Sequence, residues 1–339
     1  MTRREKTSVT IYDVARRAGV AISTVSRVLN DSLDVSERTR AEVLQAIEHL
    51  RYSPSRTARS LAQQEYHSFA VAIPSFTAPF QNELLKGIRA FVRDLGLDLL
   101  ICDLGSKDID RALRSFLDRG AVRGLLICGT SLSPEMTEEL QEIQSSIVLV
   151  GQTSPAFDSF MWDDTKGVQA AVAHLINKGH TYICMIRSAV NSETQTLRID
   201  GYKLALENGG IPYNPDRIVS GGPTYHAGFS EEDGFDAMKT ILQSHPQCTA
   251  VMASSDVQAI GALAAIKEAG LRVPQDMAIV GYDDIKTSRF IGLSSVNQSV
   301  QQIGFSAAKK LHDRITGSLL GPSEHILVEP TLEIRASSL

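Results

Sequence analysis

Three short apolar stripes open the chain, each spaced as one face of a helix. In "IYDVARRA", residues 11–18, Val14, Ala15 and Ala18 share a face. Thr10 followed three residues later by Asp13 makes a capping-box start, and Gly19 supplies a left-handed stop. In "ISTVSRVL", residues 22–29, Val25, Val28 and Leu29 lie together, which leaves Ile22, Ser23, Ser26 and Arg27 on the opposite side. A third helix begins after Ser36 as N-cap and runs through "ERTRAEVLQAIEHL" with Val43, Leu44, Ile47 and Leu50 as its stripe. Pro54 closes this all-helical unit. The basic stretch "SRTARSLAQQ" behind it is too small to bury a core and reads as a linker able to become helical.

From residue 69 the texture changes. Apolar runs such as "FAVAIP", "LDLLICD", "GLLICG", "SIVLVG", "TYICMI", "TAVMA" and "MAIVGYDD" alternate with amphipathic stretches such as "QNELLKGIRAFVRDLG" and "GALAAIKEAG". Strand then helix, repeated many times, predicts parallel sheets covered by helices. About ten such strands exceed one comfortable sheet, so two α/β lobes with a cleft between them are expected.

Composition narrows the class. The chain has 339 residues, 43% hydrophobic and 22% charged, with no apolar run near the ~18 residues of a spanning helix. The N-terminus has no apolar segment behind its basic residues, so no secretory signal is read and a cytoplasmic protein is expected. Cys102, Cys128, Cys184 and Cys248 lie far apart without a C-x-x-C pair, which suits free buried thiols in a reducing compartment. The net charge of -5 conceals an asymmetry: residues 1–62 hold 11 Lys and Arg against 7 Asp and Glu, so the head is basic and the body acidic. A basic head suits a polyanionic partner.

Enzyme chemistry finds no foothold. There is no phosphate-cradling G-x-x-x-x-G-K-[ST] loop, no G-x-G-x-x-G after the first strand and no G-x-S-x-G elbow. His174 and His180 lack a third ligand nearby and read as histidines around a helix end. The Asp283–Asp284 doublet is open to a metal or acid–base reading, but fits one ligand-binding group beside one cap better. No catalytic residue, metal or cofactor is assigned.

"TIYDVARRAGVAISTVSRVLND" resembles the helix-turn-helix of the lactose-repressor/galactose-repressor (LacI/GalR) family of bacterial transcription regulators. The similarity continues through "VSERTRAEVLQAIEHLRYSPSRTARSLA" and the body segments "RIDGY", "SSDVQAIGALAAIKEAGLRVPQDMAIVGYDDI" and "LVEPTLEIR", so it spans essentially the whole chain. The resemblance implies an all-α helix-turn-helix head (1–54), a hinge helix or linker (55–66) and an α/β two-lobe body with parallel sheets (67–339), of the periplasmic-binding-protein-like type I. Lobe 1 is expected at about 67–163 and 293–323, and lobe 2 at about 164–292 and 324–339. The second helix would lie in the major groove, with Arg27 reading guanine and Ile22 and Ser23 at the positions that set operator choice. Thr24, Ser26, Asn30, Thr10 and Tyr12 would touch or orient the backbone. Ala21 departs from the family's usual capping Ser, at a cost of roughly 1 kcal/mol. In the hinge, Leu61 matches a wedge that kinks the minor groove, Arg56 and Arg59 would hold phosphates or the groove floor, Ala58 lets two hinges approach, and Ser55 replaces a frequent Asn.

In the body the resemblance implies an effector site in the cleft, anchored by Arg198 and Asp283 and suited to a sugar or related metabolite. Phe80 matches an aromatic at the mouth of lobe 1. Ser192, Thr194 and Asp256 fall in flanking loops, Tyr225, Phe290 and Trp162 are stacking candidates, and Ser255 stands where sugar-binding members commonly carry Asn. The expected protein is a homodimeric repressor of a palindromic operator, with no membrane partner and no leucine-heptad tail after Leu332 to make a tetramer. The alternative is a soluble small-molecule binding protein without a DNA role, against which the basic head and the missing signal segment both count.

Overall fold

The computed structural model describes residues 9–29, 32, 34–50, 52, 68–105, 108–118, 122–143, 145–222 and 229–339. It divides into two compact units, Met1–His67 and Ser68–Leu339. The first unit carries α1 (Ile11–Ala18), α2 (Ile22–Leu29) and α3 (Glu37–Leu50). The Thr10 N–H and hydroxyl both donate to the Asp13 carboxylate, at 2.9 and 2.7 Å, and Gly19 ends α1 at φ 66°. Ala21 precedes α2 with no side chain to cap it; its carbonyl accepts from Thr24 and Val25 N–H at 2.9 and 3.2 Å. Ser36 Oγ accepts from the Thr39 N–H at 3.2 Å, as a cap should.

Val14, Ala15, Val25, Val28, Val43 and Ala46 close the head's core, with Ile11, Ala18, Leu29, Ile47 and Leu50 packed around it. The expected α3 stripe needs one correction. Leu44 is 51% exposed, and Ala46 is buried instead. Positions 43, 46, 47 and 50 repeat on one face, and residue 44 lies about 100° away from 43.

The body holds two six-stranded sheets. Lobe 1 is built from β1 (Ser68–Ile73), α4 (Pro79–Asp94), β2 (Asp98–Asp103), α5 (Ile109–Leu117), β3 (Gly124–Cys128), α6 (Pro134–Glu142), β4 (Ser146–Val150) and β5 (Asp158–Trp162). Lobe 2 follows with α7 (Asp164–Asn177), β6 (Ile183–Arg187), α8 (Glu193–Asn208), β7 (Ile218–Ser220), α9 (Glu231–Ser244), β8 (Ala250–Ala253), α10 (Asp256–Glu268), β9 (Ala278–Asp283), α11 (Lys286–Ile291) and β10 (Ser294–Asn297). The chain then returns to lobe 1 for α12 (Val300–Ile315) and β11 (His325–Val328), and ends on β12 (Thr331–Glu333) in lobe 2. The sheet orders are β11-β5-β4-β3-β1-β2 and β12-β10-β9-β8-β6-β7. All pairings are parallel except β10 with β12.

Two expected lobe boundaries move. β10, expected in lobe 1, pairs with β9 in the lobe 2 sheet, and β11, expected in lobe 2, pairs with β5 in the lobe 1 sheet. Three crossovers therefore join the lobes, at residues 163, 298–299 and 329–330. The central strands are apolar on both faces because helices cover both, as β1 with five consecutive buried residues illustrates. The four cysteines are free and buried, and no described helix is long and apolar enough to cross a membrane.

Helices α4 and α12 meet through glycines. A Cβ on Gly87 would collide with the Gln301 carbonyl, and one on Gly304 with the Leu84 carbonyl. Backbone cannot swing aside as a side-chain tip can. Gly87→Ala is therefore expected to destabilise the body by about 1–3 kcal/mol despite alanine's better helix propensity. Urea unfolding checks this, and an unchanged or raised midpoint would contradict the close packing.

Candidate functional sites

On the head, the apolar spacing of α2 commits Val25 and Val28 inward and turns the other side out. Ile22 is 40% exposed, Ser23 and Arg27 are exposed, and Thr24 and Ser26 are half-buried. No carboxylate among the described residues lies within ion-pair distance of Arg27, and its guanidinium fork is exposed at the α2 surface. Thr10 and Tyr12 are also exposed, although Thr10 spends its hydroxyl on Asp13. Asn30, Ser55, Arg56, Ala58, Arg59, Leu61 and Tyr225 lie outside the described residues.

In the body, a cleft of about 1100 Å³ opens between the lobes at the carboxyl ends of the strands. Lobe 1 contributes Ser75, Phe80, Asp103, Thr130 and Trp162; lobe 2 contributes Asp164, Ser192, Glu193, Thr194, Arg198, Phe229, Ser255 and Asp283. Arg198 is its centre. It is 5% exposed, donates from Nε to Asp164 Oδ1 at 2.8 Å and from Nη1 to the Ser254 carbonyl, and stacks at 3.8 Å on the Tyr282 ring. Its Nη2 stands 4.0 Å from Asp283 Oδ1. Burial disfavours the guanidinium charge, but Asp164, Tyr282 and Asp283 outweigh it and hold its pKa above the ordinary value.

Asp283 ends β9 at φ 109°, a strained conformation for a side-chain-bearing residue. Burial pushes its carboxyl well above the usual range; Arg198 opposes this, and Asp256 and Asp164 add to it. A fixed guanidinium beside the reluctantly charged Asp283 can donate to and accept from neighbouring hydroxyls or amides. Phe80 and Trp162 meet edge to face at 5.7 Å between ring centroids and give the cleft an apolar wall.

Several expected residues fall where the resemblance put them, and others do not. Phe80, Ser192, Thr194, Arg198, Ser255 and Asp283 line the cleft. Ser192 and Ser255 do so as N-caps of α8 and α10, accepting from Gln195 and Gln258 N–H at 3.2 and 3.3 Å, rather than from free loops. Asp256 is a correction: it is fully buried beneath the cleft, and its oxygens accept from the Ile285 N–H at 2.8 Å and the Ser288 and Ser295 hydroxyls at 2.6 Å each. It shapes the segment that follows Asp283. Phe290 is another: α11 carries it away from the cleft, 79% exposed. Asp284 does not cap α11; Arg335 at 2.7 Å and Asn297 at 3.1 Å hold it. His174 bonds Ser338 and His180 bonds Thr249, both structural contacts.

Asp164, the direct partner of Arg198, is missing from the expected set. A signal for it was present: "WDD" at 162–164 repeats the aromatic–Asp–Asp pattern of "YDD" at 282–284, and each spans the end of a strand. Asp103, Thr130, Glu193 and Phe229 were likewise not singled out, since only the strand ends gather them.

Residues 10–55 match the family model described as bacterial regulatory proteins, lacI family, and residues 172–338 the one described as periplasmic binding protein-like domain. The chain is 33% identical over 336 residues to the HTH-type transcriptional repressor PurR of Haemophilus influenzae (strain PittEE), covering 97% of this chain and 98% of that one. It is 35% identical over 339 residues to PurR of Pectobacterium carotovorum subsp. carotovorum (strain PC1), at 97% and 96% coverage. Among solved structures it is similar to the lac repressor dimer bound to operator and the anti-inducer ONPF, with TM-score 0.79, 28% identity and 98% and 100% coverage. It is also similar to the transcriptional regulator CelR–cellobiose complex, with TM-score 0.71, 28% identity and 97% and 99% coverage.

The buried carboxyls make a pH prediction. Burial pushes Asp256 up to about 7, against three hydrogen bonds that favour its charged form, with Asp284 adding to the rise. Its folded-state pKa exceeds the unfolded value near 3.8, so the folded chain holds that proton more tightly. The resulting stabilisation is complete below 3.8 and is lost as pH rises through about 7. Asp256→Asn, which cannot titrate, should show a shallower fall of Tm across that window than the wild type. Equal slopes would remove Asp256 from the account.

Proposed function

Because this chain belongs to the lacI family of bacterial regulatory proteins, we propose that its exposed α2 face reads operator DNA while the Arg198–Asp283 cleft holds the controlling metabolite. The protein is a DNA-binding transcriptional repressor whose grip on its operator answers to a small molecule. Its relatives are regulators rather than enzymes. One observation carries the assignment of parts: a head with an exposed Arg27 that pairs with no carboxylate among the described residues and a body with a large cleft around a buried Arg198 occur on one chain.

In this reading α2 enters the major groove. Arg27 bridges a guanine O6 and N7, Ile22 and Ser23 set base preference, and Thr10, Tyr12, Thr24, Ser26 and Asn30 fix register on the phosphates. Two heads meet a palindrome in a homodimer, and the 55–66 segment lies in the minor groove with Leu61 as its wedge. The effector is a neutral hydroxyl-rich molecule such as a sugar, held between Arg198 and Asp283 with one face on Phe80. The protein works in the cytoplasm.

Operator duplexes can be selected from a random library with the wild-type protein. Arg27→Ala should then lose about 1–3 kcal/mol of discrimination between selected and scrambled duplexes. Arg56→Ala should weaken both alike and lower the salt slope by roughly one. Undiminished discrimination in Arg27→Ala would remove α2 from the groove. For the cleft, Asp283→Ala should leave effector-free operator affinity near wild type while abolishing the response to any metabolite that alters it. A retained response would put the effector elsewhere.

A further inference from the structure

Trp162 is the chain's one tryptophan, and it stands where the cleft meets the hinge. Its ring is 6% exposed, forms part of the cleft wall and meets Phe80 edge to face, at 77° between planes. Its Nε1–H donates at 2.8 Å to the backbone carbonyl of Gln298, which lies on the second crossover. The next residue, Asp163, is the first crossover, and its N–H donates at 3.0 Å to the carbonyl of Val328, the last residue of β11 and the one that leads into the third. One dipeptide thus touches all three connections between the lobes.

The second crossover is held under strain. Ser299 has φ 52°, in the left-handed region, and its N–H donates to Asn297 Oδ1 at 2.6 Å. Asn297 in turn donates to Asp284 at 3.1 Å. Gln298 is 1% exposed and lines the cleft, yet its side-chain Oε1 has no hydrogen-bond partner among the described residues. A buried acceptor without a donor is costly. Such a crossover keeps its shape only while its neighbours hold it, and the indole N–H is one of the holders.

We propose that Trp162 is the positioning residue that transmits cleft occupancy to the lobe hinge, its ring sensing the ligand and its N–H setting the second crossover. This rests on the reading of the cleft as the effector site. A ligand that packs on the Phe80–Trp162 edge, or offers a hydroxyl or amide N–H to Gln298 Oε1, pushes on the segment whose geometry fixes the angle between lobes. Phenylalanine at 162 would keep an aromatic wall and lose the tie.

The full-length protein tests this without a known ligand. Trp162→Phe should speed hydrogen exchange of the Gln298–Gln301 amides by about tenfold, the factor expected when a buried carbonyl loses its donor. Spin labels on Glu138→Cys in lobe 1 and Lys267→Cys in lobe 2, with the native thiols buried, should show a single interlobe distance in wild type and a broadened one in Trp162→Phe. If Trp162→Phe fails to fold, β-(3-benzothienyl)alanine at 162 keeps the bicyclic ring without the N–H and should give the same two changes. Unaltered exchange and an unaltered distance distribution in a folded variant would overturn the proposal. Emission from Trp162 separates this from the cleft reading. A metabolite that changes operator affinity should shift it; a change in affinity with no shift would mean that the effector sits elsewhere, and the proposal falls with the cleft.

Discussion

A guanidinium taken out of water must be neutralised and hydrogen-bonded, or it costs several kcal/mol. Arg198 meets that demand with groups drawn from three separate parts of lobe 2. Asp164 comes from the first turn of α7, the Ser254 carbonyl from the end of β8, and the Tyr282 face from β9. The ion pair therefore dictates how α7 lies against α8, and glycine makes that approach possible. A Cβ on Gly201 would strike the Thr165 carbonyl, and the Thr165 hydroxyl donates to Leu197 at 3.1 Å across the same contact. With α7, α8 and β9 fixed together, Asp283 has no freedom to relax, and its strained backbone persists.

The head was legible because its information is local. Helical spacing, a Thr–Asp box, a stop glycine and a Ser cap all act within a few residues. Leu44 falls outside the α3 stripe because it lies about 100° around the helix from Val43, away from the face that buries Val43 and Ala46. Parallel sheets were legible too, since buried strands show as uninterrupted apolar runs. Strand order was not, because nothing in "SSVN" or "HILV" says which sheet edge is vacant; β10 joins β9 only 14 residues behind it, whereas β11 joins β5 from 166 residues earlier.

The cleft shows the same division more sharply. Arg198, Asp283 and Phe80 entered through resemblance, and they line the cavity. Asp256 looked equally suitable, being a carboxylate at a strand-to-helix junction. In the folded chain its oxygens are spent on Ile285, Ser288 and Ser295. Phe290 looked like a stacking ring until α11 turned it outward. A residue type announces what it is able to bind; its direction belongs to the packed structure.

The return of the chain to lobe 1 for α12 and β11, and then to lobe 2 for β12, has a consequence for how the protein is made. Neither sheet has its full set of strands until β11 and β12 have left the ribosome. The head can close early from local contacts, while each lobe waits on partners far along the sequence, a slow and entropically costly kind of pairing. During synthesis the edges at β5 and β10 stand open, offering unpaired backbone to other nascent chains. The same interleaving removes the option of losing one lobe alone. Once β11 and β12 are seated, unravelling either sheet pulls on the strand that completes the other.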